Sequence, residues 1–170
     1  GSTAVSLADH VNAQFDQSLS WDDIEWFKQH WGRKIVLKGI QTIEDAKLSV
    51  QHGVDAIALS NHGGRQLDDA PNPIDLVHPV FNAVGGQVEI FCDGGIRRGS
   101  DIVKAIALGA DACMIGRPFL YGLGAAGEKG VDWVLNFLKE GMHQTMALLG
   151  AKNLTDLNPD LIETRHKVRA

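Results

Sequence analysis

Short apolar runs alternate with stretches of helical periodicity along this 170-residue chain, and that alternation constrains the fold more than any single motif. The runs Ile35–Gly39, Ala56–Ser60, Val88–Asp93 and Ala112–Ile115 are each bounded by turn residues, so they read as buried strands. An internal echo supports the period. Gly53-Val54-Asp55-Ala56 and Gly109-Ala110-Asp111-Ala112 hold the same place in two units 56 residues apart, which is two units of about 28 residues each. Strict β-α alternation argues for a parallel sheet covered by helices. Four such units make half of an eight-stranded barrel, and the alternative is a small doubly wound sheet. The half barrel is preferred because residues capable of chemistry follow every strand at the same end.

The intervening segments set the expected helices. The first starts at Ser20 as N-cap, runs to about His30 with Ile24 and Phe27 inward, and stops at Trp31-Gly32. The second opens at Thr42, carries Ile43, Ala46 and Val50 on one face, and ends at Gly53. The third covers residues 73–84. The fourth opens at Ser100-Asp101, faces the core with Ile102, Ala105 and Ile106, and ends at Gly109. The last covers residues 127–149 with an apolar stripe of Val131, Leu135, Leu138, Met142 and Leu149. The expected domain division is a lead-in over 1–19, the half barrel over 20–150, and a tail over 151–170 with a loosely ordered mixed-charge end, Arg165 to Arg169.

Composition narrows the class. A net charge of −5 gives no electrostatic reason to expect nucleic acid or anionic lipid. No apolar run reaches the ~20 residues of a membrane span, and the N-terminal residues lack the pattern of a secretory leader. Cys92 and Cys113 both sit in apolar runs, so they read as buried thiols rather than a disulfide or a metal pair. No His, Cys and Asp grouping has metal-ligand spacing.

Chemistry concentrates at the strand ends. Past the second strand stands Ser60-Asn61-His62-Gly63-Gly64-Arg65-Gln66-Leu67-Asp68. His62 suits proton abstraction near neutral pH, and the planar fork of Arg65 matches a carboxylate. Alone, such a pair reads most often as a solvated glycine-rich loop. Its neighbours favour a site instead. Asp93-Gly94-Gly95-Ile96-Arg97 and Gly116-Arg117, on adjacent strands, read as a phosphate cradle of glycine turns, helix-start amides and two guanidinium groups. Lys38 at the first strand end is either a solvated lysine or a cation that tunes a flavin ring. Asp93 is either a turn cap or a partner for a cofactor hydroxyl.

Taken together, Leu37-Lys38-Gly39, the Ser60–Asp68 stretch, Asp93-Gly94-Gly95-Ile96-Arg97-Arg98-Gly99 and Ile115-Gly116-Arg117 resemble the FMN-dependent 2-hydroxy acid oxidase and dehydrogenase family. The resemblance covers the C-terminal half of that family's TIM barrel. It implies FMN as cofactor and oxidation of an L-2-hydroxy acid such as lactate, glycolate or mandelate. It implies His62 as the base, with His62 and Arg65 binding substrate. Lys38, Ser60, Asp93, Gly94, Gly95, Ile96, Arg97, Gly116 and Arg117 would contact the cofactor. The implied partners are the N-terminal half of the same barrel, further copies in a homo-oligomer such as a tetramer, and an acceptor that is oxygen, a quinone or a cytochrome. The implied location is the cytoplasm, or a membrane periphery where a quinone is the acceptor. Two rivals share parts of this pattern: another phosphate-binding FMN barrel such as an isomerase, and an inactive half barrel that only binds its other half.

Overall fold

The computed structural model describes residues 10, 13, 14, 16 and 18–163. The expected lead-in over 1–19 and the mixed-charge end at 165–169 therefore lie almost entirely outside the described residues. The chain divides into two units, residues 1–33 and residues 34–170. In the first, helix α1 runs Asp23–Trp31 and stops at Gly32 in the left-handed conformation. Ser20 does not cap it as expected. Instead its N–H and hydroxyl both donate to the Asp23 carboxylate, at 2.7 and 3.0 Å. Ile24 is buried, whereas Phe27 is 47% exposed and so does not face inward as expected.

The second unit alternates as the sequence predicts. Strand β1 (Val36–Ile40) is followed by α2 (Ile43–Gln51), β2 (Ala56–Ser60), α3 (Pro73–Val84), β3 (Glu89–Asp93), α4 (Gly99–Ala107), β4 (Ala112–Met114) and α5 (Arg117–Leu149). The sheet order is β1-β2-β3-β4 and every pair is parallel. This is the strand-helix succession of a partial (β/α)8 barrel. Among the described residues, β1 and β4 each keep one unpaired edge.

Two-residue periodicity sends Ile57 and Leu59 of β2, and Ile90 and Cys92 of β3, to one face of the sheet, where none is more than 1% exposed. Helix α3 packs on β2 and β3 and buries Val77, Val80 and Val84. Each fully buried aliphatic side chain contributes ~1.5–3 kcal/mol, so this layer fixes the register of the sheet. The echoed aspartates explain themselves here. Asp55 Oδ2 accepts from the N–H of Ile35, and Asp111 Oδ2 from that of Ile90, both at 2.8 Å. Each carboxylate thus ties its own strand to the start of the preceding one. Lys34 Nζ lies 2.8 Å from Asp55 Oδ1, and its hydrogen bond, with that from Ile35, lowers the Asp55 carboxyl below its usual range.

Four local expectations are corrected. Gly39 is not a turn: at φ 102° it is the extra residue of a bulge between Lys38 and Ile40, and β1 continues past it. Helix α4 buries Val103, Ala105 and Ala107, leaving Ile102 and Ile106 only partly covered. The helix expected over 127–149 is present as the second segment of α5, but α5 already begins at Arg117 and breaks at Ala126-Gly127, where the backbone leaves helical angles. Its buried stripe is Val134, Leu138 and Met146, with Leu135 and Leu149 exposed, because α4 meets it along that side. As far as it is described, the tail packs against α4 and α5. Leu157 joins Val103, Ala107 and Met146 in a buried cluster, with Leu161 and Ile162 against it.

The approach of α4 to α5 depends on glycine. A Cβ on Gly99 would overlap the backbone of Gly141 and Met142. Gly99→Ala should therefore force the helices apart and destabilise the fold by ~1–3 kcal/mol or more, the usual cost of overpacking a tight contact. Urea unfolding of wild type and variant measures this, and equal midpoints would show that the contact is not tight.

Candidate active site

The strand ends converge on a cleft of about 730 Å³, large enough for a cofactor. From the ends of β1, β2 and β3 it is lined by Lys38, His62, Gly63, Arg65 and Asp93. From the β3 and β4 turns and the start of α5 it is lined by Gly94–Arg97, Met114–Pro118, Leu120 and Tyr121. Of the residues picked out in the sequence, only Ser60 is not on this lining.

Past Ser60 the chain makes three consecutive left-handed residues: His62 (φ 56°), Gly63 (72°) and Gly64 (70°). Glycine adopts that region freely, but a histidine there is uncommon, and such residues persist where surroundings hold them. Here the holding groups are explicit. Asn61 Oδ1 accepts from Gly63 N–H at 3.1 Å, and Asn61 O accepts from Gly64 N–H at 3.0 Å. Arg117 Nη2 donates to the Gly63 carbonyl at 3.0 Å. The His62 N–H donates to Ser60 Oγ at 3.1 Å. The turn thus presents the His62 ring and the exposed Arg65 to the cleft.

Beneath them lies a polar node. Lys38 Nζ is 2.6 Å from Asp93 Oδ2 and donates to Ser60 Oγ at 3.0 Å. Ser60 Oγ donates to the same Asp93 oxygen at 2.7 Å. Ser60 is 1% exposed, so its hydroxyl serves this network from below.

The other end of the cleft is built for an anion. Asp101 Oδ2 accepts from the N–H groups of Arg97 (3.0 Å) and Arg98 (2.9 Å), which fixes the chain's entry into α4. The amides of Gly95 and Ile96 make no hydrogen bond among the described residues. Facing the same cleft, Gly116 leads into α5, whose first segment ends at the Ala126-Gly127 break. A short helix after the last strand, with its N-terminus at the cleft, is a recurring phosphate site in such barrels. Arg65 and Arg97 are exposed and make no ion pair among the described residues. With Lys38 matched by Asp93, three guanidinium groups leave the cleft cationic. No group of three or more His, Cys, Asp or Glu among the described residues could hold a metal.

The sequence reading missed two kinds of residue. Asn61 braces the His62-Gly63-Gly64 turn, and its signal was the known habit of Asn to bond its own backbone two residues on. Leu120 and Tyr121 line the cleft because α5 starts at Arg117, and Pro118 in its first turn was the available signal.

Comparison with known proteins agrees with this geometry. A family model described as FMN-dependent dehydrogenase matches residues 1–164. Over 156 residues the chain is 49% identical to 2-hydroxyacid oxidase 1 of Mus musculus, covering 92% of this chain and 42% of that protein. It is 50% identical over 154 residues to a putative L-lactate dehydrogenase of Mycobacterium tuberculosis (strain ATCC 25618 / H37Rv), covering 91% of this chain and 37% of the relative. Among solved structures, a monotopic membrane protein, (S)-mandelate dehydrogenase, superposes with a TM-score of 0.87 at 42% identity, covering 93% of this chain and 42% of that one. The chain thus spans about two fifths of the length of the relatives it matches. No helix among the described residues is long and apolar enough to cross a membrane.

Under the cleft, Cys92 and Cys113 stand opposite one another on β3 and β4. Burial pushes the Cys92 thiol up to about 11 and the Cys113 thiol to about 12. A raised value means less thiolate at neutral pH, and the thiolate is the reactive form. Both should resist iodoacetamide at pH 7.5 in the native protein and react on unfolding. Mass spectrometry of the labelled peptides checks this, and rapid native labelling of Cys92 would contradict the burial described.

Proposed function

Because the chain belongs to the FMN-dependent dehydrogenase family, we propose that its cleft holds FMN and oxidises a 2-hydroxy acid to the 2-oxo acid. The observation that carries this reading is that His62 and Arg65 line the same cleft as Lys38 and the anion-binding turns. The lining fits the cofactor. The unbonded amides of Gly95 and Ile96, with Gly94, Gly116, Arg97 and Arg117, suit a phosphate monoester. Lys38 and Asp93 lie where a charged edge and a hydroxylated chain would need a cation and an acceptor. When bound, FMN supplies a two-electron acceptor.

The remaining chemistry belongs to the chain's own side chains. Arg65 holds the substrate carboxylate through its planar fork. His62, its backbone fixed in the left-handed turn, accepts a proton from the substrate and keeps it as imidazolium. A flavin-binding isomerase would use the anion end of the cleft and leave the His62-Arg65 pair without a task. The named relatives, a hydroxyacid oxidase, a lactate dehydrogenase and a mandelate dehydrogenase, favour lactate, glycolate or mandelate as substrate. The same proposal places the other strands of a closed barrel at the free edges of β1 and β4. For the whole enzyme it includes a homo-oligomer and oxygen, a quinone or a cytochrome as acceptor.

Anaerobic stopped-flow bleaching of the flavin by the best of these substrates tests the reading. His62→Gln keeps the size of the side chain but removes the base, so flavin reduction should slow by ~10²–10⁴-fold. Flavin content should stay near wild type, because the cradle comes from other strands. Arg65→Lys keeps charge but loses the fork, and should weaken substrate binding and slow reduction by on the order of tenfold or more. A His62→Gln enzyme that keeps FMN and reduces it within about threefold of wild type, against the loss expected for a base, would exclude His62 from that role.

A further inference from the structure

We propose that Asn61 is a positioning residue that holds His62 and Arg65 in one geometry, by closing at its base the loop that carries both. The inference rests on the reading of those two residues as base and carboxylate clamp. An Asn side chain carries an acceptor oxygen and a donor nitrogen on one planar group. At Asn61 both are used, in different directions. Oδ1 accepts from the Gly63 N–H at 3.1 Å, inside the turn, and Nδ2 donates to the Pro71 carbonyl at 3.3 Å, ten residues along the chain. The Asn61 carbonyl accepts from the Gly64 N–H at 3.0 Å. All three partners are main-chain atoms of the same loop, and Asn61 itself is off the cleft lining that His62 and Arg65 share.

The backbone shows what this closure has to hold. Among the described residues, the non-glycine residues with positive φ are His62 (56°) and Asp69 (60°), and both lie between Asn61 and Pro71. Conformations of that kind persist only when neighbouring groups over-determine them. Arg65 stands between the two, exposed and without an ion pair among the described residues, so the loop backbone sets its direction. The β3 turn lies against the closed base as well: a Cβ on Gly94 would stand 3.4 Å from both Asn61 Oδ1 and Pro73 Cγ. A compact loop with its ends tied together moves as a unit. Truncating Asn61 frees the Gly63 amide and the Pro71 carbonyl together. His62 and Arg65 then lose their common frame, and the base and the clamped substrate spend less time in register. Gly95, Ile96 and Gly116 belong to other strand ends, so cofactor affinity is spared.

Asn61→Ala and Asn61→Ser, compared with wild type, test this in two ways. Asn61→Ala removes both side-chain bonds, whereas Asn61→Ser keeps a hydroxyl that bonds the backbone two residues on more weakly and is too short to reach Pro71 as well. In the flavin-loaded enzyme, Asn61→Ala should bind FMN within about threefold of wild type, reduce it at least roughly tenfold more slowly, and raise the substrate KM about tenfold, as misplacement of base and clamp together predicts. Asn61→Ser should recover part of the reduction rate but little of the KM, because it restores only the turn at His62. In the flavin-free protein, amide hydrogen exchange at Gly63 should speed by about tenfold or more in Asn61→Ala and by less in Asn61→Ser. Trypsin should cut after Arg65 faster in both variants than in wild type. Neither of these readouts needs activity. The proposal is overturned if Gly63 exchange is unchanged in Asn61→Ala. It is equally overturned if both variants keep the wild-type reduction rate and KM and lose only thermal stability, the pattern of a merely structural residue. Should wild type reduce no flavin with any 2-hydroxy acid, the reading of His62 as base fails, and exchange and proteolysis alone decide whether Asn61 closes the loop.

Discussion

The Lys38–Asp93 pair, closed at 2.6 Å over the Ser60 hydroxyl, is the interaction on which the site's geometry depends. The Asp93 side chain is only 16% exposed, and a carboxylate so far from water is tolerable only when paired and hydrogen-bonded. Both conditions are met by residues from three different strands. That requires β1, β2 and β3 to end at one level. Ser60 stands directly opposite Asp93 in the sheet, and the Gly39 bulge follows Lys38 in β1, where Lys38 stands opposite Ala58. The apolar layer on the other face, Ile57, Leu59, Ile90 and Cys92, holds that register. A slip of one residue would turn Ser60 into the helix layer and an aliphatic side chain into the cleft.

The βα alternation and the residues at strand ends were legible in the sequence because both follow from local period and from glycine position. A parallel sheet then brings every strand end to one side, so that Lys38, His62, Arg65, Asp93 and the turns at Gly94–Arg97 and Gly116-Arg117 meet without further information. The start of α5 was not legible. Gly122, Gly124, Gly127 and Gly130 argue against a helix on propensity. The structure gives Gly122 and Gly130 another purpose: a Cβ on Gly130 would overlap the backbone of Gly122, so the segments flanking the break cross where only glycine fits. The stripe of α5 was misplaced because the face it buries is chosen by α4, a tertiary contact. The hydrogen bonds of Ser60 were hidden for a similar reason, since its partners Lys38 and Asp93 lie 22 and 33 residues away along the chain.

The cleft separates two duties along its length. At the β3 and β4 turns, backbone amides and guanidinium groups offer donors for an anion, and Asp101 ties the Arg97 and Arg98 amides just before α4. Toward β1 and β2 stand His62, Arg65 and Lys38, the residues proposed as base, carboxylate clamp and flavin-facing cation. Arg117 touches both regions, since it lines the end with the open amides and also holds the Gly63 carbonyl of the turn that carries His62. The short first segment of α5 contributes Leu120 and Tyr121 as an apolar flank between helix start and solvent.

The central claim is that this cleft takes its cofactor by the phosphate, and a calorimetric comparison of FMN with riboflavin on the flavin-free enzyme tests it most directly. The two ligands differ only in that group. The account predicts FMN binding tighter by about 10- to 150-fold, the ~1.5–3 kcal/mol of a charge-assisted hydrogen bond, with most of the difference lost in Arg117→Ala. Equal affinities for FMN and riboflavin, or an Arg117→Ala variant that keeps the full difference, would contradict it.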